Sequence, residues 1–506
     1  MDKGGILLPK KIPIFYSALL LTGVNLLLRL AGTSFQVYLS ATIGAAGIGL
    51  LQLTMSVGGL AMVAGMGGIR TATMYLTAEE IGKGRRKNVR QVLSACFLYS
   101  ILFSGTVAGL VYSFAPQIAG NWIGDGRTVP SLRLFAAFLP VTCLCGVMTG
   151  YFTAANRIGT LAAVEVGEQI CSMALTLGIL HFWAGNDPGR CCLAVVLGSS
   201  LGALLTLGCL VLLRLLERPA VGVRIPVARR LIQAAVPLAL ADDLKAGINT
   251  VENLMVPKRL ALNTATADPL AAFGLVSGMV FPVIMFPAAI LFGLNELLIP
   301  ELARCSAAGS QKRIHHLVTR SLRVSLVYGL TCGGILYLLA DVLCRRLYGS
   351  SEASFFMGRY ALLVPMLYCD CVTDAMTKGL GQQKICVRYN IITSVLDVCF
   401  LFLLLPRWGM EGYFVSFFVT HFINFCLSLE RLLKITGLTL PFRIPALAVA
   451  STLFSLFAAS YLPGAISQAI IYPILLGCCL VLSGILNMAD LHWLRGLIRK
   501  NDLTKR

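Results

Sequence analysis

The sequence predicts an all-α, polytopic membrane protein with about fourteen transmembrane helices, in two six-helix bundles followed by two further helices. Three observations predict it. The 506 residues are 57% hydrophobic and 13% charged, with a mean hydropathy of +0.80, whereas a soluble globular chain carries about 25% charged residues. Apolar windows of about 20 residues, long enough to cross the hydrocarbon core, recur along the whole chain and leave no polar stretch for a separate soluble domain. Lys and Arg also fall very unevenly between alternate loops. The windows are long and rich in Leu, Ala, Gly and Val. They read as helices rather than the short alternating segments of a barrel.

Taken in order, the spans fall near 13–43, 47–76, 91–115, 131–155, 158–184, 191–213, 231–256, 269–300, 321–344, 358–380, 386–406, 410–430, 444–463 and 466–489. The first follows a short basic start (Lys3, Lys10, Lys11) and runs past Gly44 with no small-residue cleavage site. It reads as an uncleaved insertion signal. The eighth carries Pro282 and Pro287, which predict a broken helix, because proline removes the bond to the carbonyl four residues back.

Basic loops stay cytoplasmic. With the N-terminus inside, thirty of the 42 Lys and Arg lie on one side and nine on the other; Arg29, Arg70 and Lys245 lie inside helices. A helix missed midway would swap every later loop and destroy this split. An even number of spans, with both termini in the cytoplasm of a bacterial plasma membrane, is the expectation. The net charge of +19 follows from basic loops lying against anionic lipid heads. The basic residues are scattered over eight short segments, so nucleic acid is not an expected partner.

Most of the 17 cysteines lie in apolar runs, where free Cys behaves as a small hydrophobe, and no paired zinc spacing occurs. His315 and His316, in a basic loop, read as solvated. No Walker A motif, nucleophile elbow or metal cluster is present in the sequence. Neither an enzyme nor a cofactor is expected, and the chain reads as a monomer.

The chain repeats itself. With an offset of 225 residues, FLPVTCLCGVMTGYFTAANRI (138–158) lies over LVPMLYCDCVTDAMTKGLGQQ (363–383), and Pro140 meets Pro365. The segments GGIRTATMYLTAE (67–79) and FGLNELLIPELAR (292–304) also end their helices in the same style. Six helices per half make a parallel repeat about an axis along the membrane normal. The expected divisions are 1–217, 218–434 and an appended 435–506.

Certain stretches resemble a known family. NLLLRLAGTSFQVYLSATIGAAGIGLLQL (25–53), with Arg29, Gly32, Gly44, Gly47, Gly49 and Gln52, resembles the opening of polysaccharide flippases of the stage V sporulation protein B type. GYFTAANRIGTLAAVEVGEQI (150–170) resembles a second family stretch through Gly150, Tyr151, Phe152, Glu168 and Gln169, and departs from it at Thr153 and Ala154. GLGQQKICVRYN (379–390) is similar to its counterpart in the second half. The family belongs to the multidrug/oligosaccharidyl-lipid/polysaccharide (MOP) exporters. The resemblance implies a MATE-like pair of bundles related by a pseudo-twofold, alternating access, and outward transfer of an undecaprenyl-diphosphate-linked saccharide in cell-wall, sporulation or polysaccharide synthesis. The lipid II branch carries a further arginine two turns after the position of Arg29. Here Phe35 and Gln36 stand in that region, which counts against lipid II as cargo.

Such cargo needs a polar, cationic site for its head and a side opening for its tail. Arg29 is the sharpest candidate: it lies between LLL and LAG, and a central arginine costs about 2.5–3.5 kcal/mol on insertion scales. It grips a diphosphate or sugar, or it pairs with an acid to hold the bundles. Arg70, Lys245, Gln36 and Asn253 join it as substrate-binding candidates, although Arg70 is placed to reach the interface instead. Asp242 and Lys245 are three apart and able to pair. That leaves Asp243 as a proton or sodium site. Glu165 and Glu168 share one face of the fifth helix and read as ion-coupling or packing acids; Asp370, Asp374 and Asp397 are further intramembrane acids. These acids outnumber the three intramembrane bases, so a MATE-type exporter of organic cations, driven by protons or sodium, stands as the second reading. Membrane lipids are partners in either case.

Overall fold

The computed structural model describes residues 14–83, 85, 88–155, 157–185, 187–216, 227–264, 266–439 and 443–485. Among them there is no strand. The helices are α1 Ile14–Met66, α2 Ile69–Gly82, α3 Val89–Gln117, α4 Val129–Ala154, α5 Ile158–Ile179, α6 Pro188–Leu215, α7 Val227–Leu260, α8 Pro269–Gly274, α9 Phe281–Met285, α10 Ala289–Ala307, α11 Gln311–Tyr348, α12 Ser351–Ala361, α13 Val364–Gly379, α14 Gln383–Thr436, α15 Arg443–Ser460 and α16 Ala465–Leu482. Among the described residues nine helical stretches are long and apolar enough to cross a membrane, or up to eleven if each of two bent pairs is one span.

Two of the longest helices are each a pair. α1 is broken at Gly44 (φ 71°) and α14 at Gly409 (φ 55°). Only glycine takes a positive φ at no steric cost, so these positions end one helix and start the next. They fall in the gaps expected between 43 and 47 and between 406 and 410. The two bent pairs are Pro269–Met285 with Ala289–Asn295, bent by 60°, and Ser351–Ala361 with Val364–Gly379, bent by 53°. The first is the break expected from Pro282 and Pro287. The second falls inside a span that the sequence suggested was continuous.

The chain packs as two units: Met1–Gly278 with Val398–Tyr413, and Met279–Asp397 with Phe414–Arg506. The expected boundary at 217 lies outside the described residues, and α7, which follows it, belongs to the first unit. It packs on α1, α2 and α3 of the first unit. One apolar core of that unit gathers Ile69 and Leu76 of α2, Cys96 of α3, Phe152 of α4, Leu210 of α6 and Leu231 of α7. At one edge the guanidinium of Arg127 bonds Asp125 (Nη2–Oδ2 2.6 Å) and holds its carboxyl below the usual carboxylate range. Asp187 caps α6 beside it by accepting from the backbone N–H of Arg190 at 3.2 Å. In the second unit α15 and α16 pack on α11 around Leu330, Ala448, Tyr472 and Leu476. All 17 cysteines are free.

Candidate transport site

The first unit holds most of the candidate residues, on α1, α2, α5 and α7. Arg29 and Gln36 lie two turns apart on α1. Arg29 is exposed. Gln36 donates from Nε2 to the carbonyl of Gly278 at 3.3 Å, and Ser40, one turn further, donates to the same oxygen at 3.2 Å. The reason lies in the sequence of the α8–α9 stretch. Pro282 has no N–H for the carbonyl four residues back, which is that of Gly278. The chain passes through a π-helical turn at 275–280, and two side chains of α1 supply the missing donors.

The same stretch of α1 approaches α8 without side chains between them. A Cβ on Gly274 would lie 2.0 Å from the Ala45 carbonyl oxygen, and one on Gly49 would lie 2.4 Å from the Leu270 carbonyl. Further along, Asn253 of α7 donates to Ser56 Oγ at 3.0 Å, and Thr250 donates to the Ser56 carbonyl at 3.1 Å. Gln36 and Asn253, expected to contact substrate, are engaged in helix–helix contacts in this structure.

Arg70 stands in the first turn of α2, directly after the Gly67–Gly68 break, and is exposed. It lies within electrostatic reach of the half-buried Glu165 on α5, and Glu168, one turn further along that helix, is half-buried too. On α7, Asp242 and Lys245 are exposed and the pairing expected between them does not form. Their i,i+3 spacing permits an ion pair, but none joins them among the described residues. Asp243 is half-buried, with Oδ1 enclosed and without a hydrogen-bond partner. The strongest ion pairs of this unit lie elsewhere: Arg230, near the start of α7, bonds Glu79 at 2.5 Å and the buried Glu80 at 3.1 Å. Asn88 completes Glu80 at 3.1 Å. Nothing in the sequence singles out this clasp.

The second unit carries two carboxylate clusters. Asp374 pairs with Lys378 at 2.6 Å through Oδ2, while its Oδ1 is enclosed without a partner. One turn away Asp370 accepts from Asn424 Nδ2 at 3.1 Å. Asp397 is 4% exposed and accepts from Ser416 Oγ at 2.6 Å and Thr420 Oγ1 at 3.1 Å. Its hydroxyl partners lie on the other limb of α14, beyond the Gly409 break, and spacing alone gave no sign of them. The α9–α10 break is supported from this unit too: Tyr328 donates to the Pro287 carbonyl and Tyr368 to the Ile284 carbonyl, each at 2.8 Å. Among the described residues no group of three His, Cys, Asp or Glu is placed to hold a metal ion.

The family model described as "Polysaccharide biosynthesis protein" matches residues 15–249, and the MatE model matches 259–403. The two matches follow one another along the chain, the first in its N-terminal part and the second after it. Over 406 residues, 78% of each chain, the protein is 22% identical to Stage V sporulation protein B of Bacillus subtilis (strain 168). Its fold is similar to that of the lipid II flippase MurJ in an inward closed conformation (TM-score 0.68, 15% identity, 95% of this chain and 100% of that one). It is also similar to an inward-facing multidrug resistance MATE family transporter (TM-score 0.67, 11% identity, 83% and 100%). The chain is thus an all-α, multi-pass membrane protein with a MATE-like fold, and the solved structures it is similar to are a flippase and a transporter.

Proposed function

We propose that the chain flips an undecaprenyl-diphosphate-linked saccharide from the cytoplasmic to the outer leaflet by alternating access. The observation that carries this reading is Arg29. It is an arginine exposed in the middle of an apolar span, inside the segment matched by the polysaccharide biosynthesis model. A planar guanidinium suits a diphosphate, which it bonds through two parallel donors. Arg70 and Lys245 are the supporting cations. The protein binds, orients and releases the head; no covalent step is needed.

The reading includes a topology. The breaks at Gly44 and Gly409 divide two long helices, the two bent pairs each count as one crossing, and α7 adds another. Together with the other long helices these give fourteen crossings, in halves 1–217 and 218–434 and an appended 435–506, with both termini cytoplasmic. In that orientation the glycine contact of α1 with α8 lies toward the outer end of both helices. Gln36 and Asn253 are released to the cargo when their contacts with Gly278 and Ser56 break. The driving force is an ion gradient or the membrane potential, which supplies about 2.3 kcal/mol per charge per 100 mV. Asp243, Glu165, Glu168, Asp374 and Asp397 are the candidate proton or sodium carriers.

Those acids also favour a second reading, export of an organic cation in exchange for protons or sodium. Purified protein in proteoliposomes separates the two. Transfer of a fluorescent undecaprenyl-diphosphate saccharide supports the first. Gradient-driven accumulation of ethidium, with no saccharide transfer, would replace it with the second.

A further inference from the structure

One groove of the first unit lies apart from every residue placed in the transport reading. It has a volume of about 830 Å³, within the range of about 300–1,000 Å³ usual for ligand pockets. Four helices form it near their ends: the last turns of α3, the opening turns of α4, the end of α5 with the π-helical turn at 180–184, and the opening turns of α6. Leu134, Ala137, Ile179, Leu193 and Leu197 make its walls apolar. Gly178 puts no side chain into it, and a Cβ there would meet nothing within 4 Å.

Aromatic rings and one charge complete the lining. Tyr112, Phe182 and Trp183 are all exposed, Phe182 at 87%. Tyr and Trp collect at the level of the lipid headgroups, so these rings place the groove at that depth. Arg133 is the one charged side chain among the lining residues. Its guanidinium stands over the Tyr112 ring, 5.3 Å from the centroid. The ring attracts it through a quadrupole and carries no net charge. The contact therefore holds the guanidinium in place and leaves its charge uncompensated. The acids of this region serve other cations: Asp125 bonds Arg127 at 2.6 Å, and Asp187 lies 3.9 Å from Arg190. Arg190 in turn stands over Trp183, 5.9 Å from its centroid. A hydrocarbon groove at headgroup depth, with a cation fixed in its lining, fits a molecule with a long apolar chain and an anionic head.

We propose that this groove holds one anionic membrane phospholipid, with an acyl chain along the apolar walls and its phosphate at Arg133. Charge complementarity selects the occupant: the guanidinium fork matches a phosphate, and no acid is among the lining residues. None of the residues assigned to grip cargo (Arg29, Gln36, Arg70, Lys245, Asn253) lines it. The occupant is therefore a resident lipid rather than cargo. Its binding depends neither on what the protein transports nor on which way the chain is inserted.

The test uses full-length, delipidated protein titrated with palmitoyl-oleoyl phosphatidylglycerol or the matching phosphatidylcholine, with bound lipid counted by native mass spectrometry. Wild type is expected to hold one phosphatidylglycerol about tenfold more tightly than phosphatidylcholine, the worth of one charge-assisted contact. Arg133→Gln brings the two lipids level, and Arg133→Lys, which keeps the charge, retains most of the preference. Gly178→Trp fills the groove from a position with open space around it and weakens both lipids; Ala137→Trp serves the same purpose if a lowered melting temperature shows that Gly178→Trp disturbs the fold. Equal retention of both lipids by wild type, an unchanged preference in Arg133→Gln, or undiminished phosphatidylglycerol binding by a groove-filling variant of wild-type melting temperature overturns the proposal. Displacement of the bound phosphatidylglycerol by equimolar undecaprenyl diphosphate also overturns it, since the groove then belongs to the cargo path.

Discussion

Pro282 withholds an N–H from the Gly278 carbonyl, and Gln36 and Ser40 on a different helix supply the donors. A carbonyl left bare inside an apolar bundle costs about 1–3 kcal/mol. Replacing either side chain alone leaves the other in place, so Gln36→Leu and Ser40→Ala are each expected to be mild. The double variant loses about 1–3 kcal/mol, more than the sum of the two, which a double-mutant cycle of thermal or denaturant unfolding measures. Asp397 makes a similar test. Asp397→Asn keeps an oxygen for Ser416 and Thr420 and is expected to change stability by less than about 1 kcal/mol, whereas Asp397→Leu strands both hydroxyls and costs about 1–3 kcal/mol. At this scale the sequence was partly legible. Arg29 stands out because a charge in an apolar run is costly wherever it points. The roles of Gln36 and Asn253 were not legible, since an amide in a helix looks the same whether it faces cargo or a neighbouring carbonyl. The Asp242–Lys245 pair failed for a related reason: spacing shows that two side chains can meet, but both are exposed on α7 and nothing holds them together.

Helix breaks were more legible than helix contacts. Gly44, Gly409 and the Pro282–Pro287 pair are local backbone effects, and each break falls where the sequence places it. The bend between α12 and α13, and the Gly67–Gly68 break between α2 and the end of α1, were read as continuous helix because the hydropathy does not drop across them. The approach of α1 to α8 is an element-scale property that no single residue announces. A methyl group on Gly274 would collide with the Ala45 carbonyl and the Gly49 backbone, which are parts that cannot rotate away. Gly274→Ala is therefore expected to lose about 1–3 kcal/mol of stability or to open this contact, raising the labelling of a cysteine introduced at Ala46. Gly208 has nothing within 4 Å of the same position, and Gly208→Ala is the control that should leave both readouts unchanged. Equal effects from the two substitutions would mean that the close approach is not what holds α1 against α8.

For the whole molecule, composition and loop charge alone give a helical membrane protein, because the bilayer admits few backbone solutions. The packing of α7 with the first unit was not visible in them, since neither composition nor loop charge says which helices meet. The proposed function rests on a single charge in an apolar span joined to the match with the polysaccharide biosynthesis model. The most direct test of it is flipping of a fluorescent undecaprenyl-diphosphate saccharide in proteoliposomes by wild type, Arg29→Ala and Arg29→Lys. The account predicts transfer by wild type, a fall of at least about tenfold in Arg29→Ala, as expected for losing a charge-assisted contact of about 1.5–3 kcal/mol, and partial rescue by Arg29→Lys, which keeps the charge without the fork. Transfer by Arg29→Ala at the wild-type rate, in protein of unchanged melting temperature, would contradict it and leave Arg29 as a packing residue.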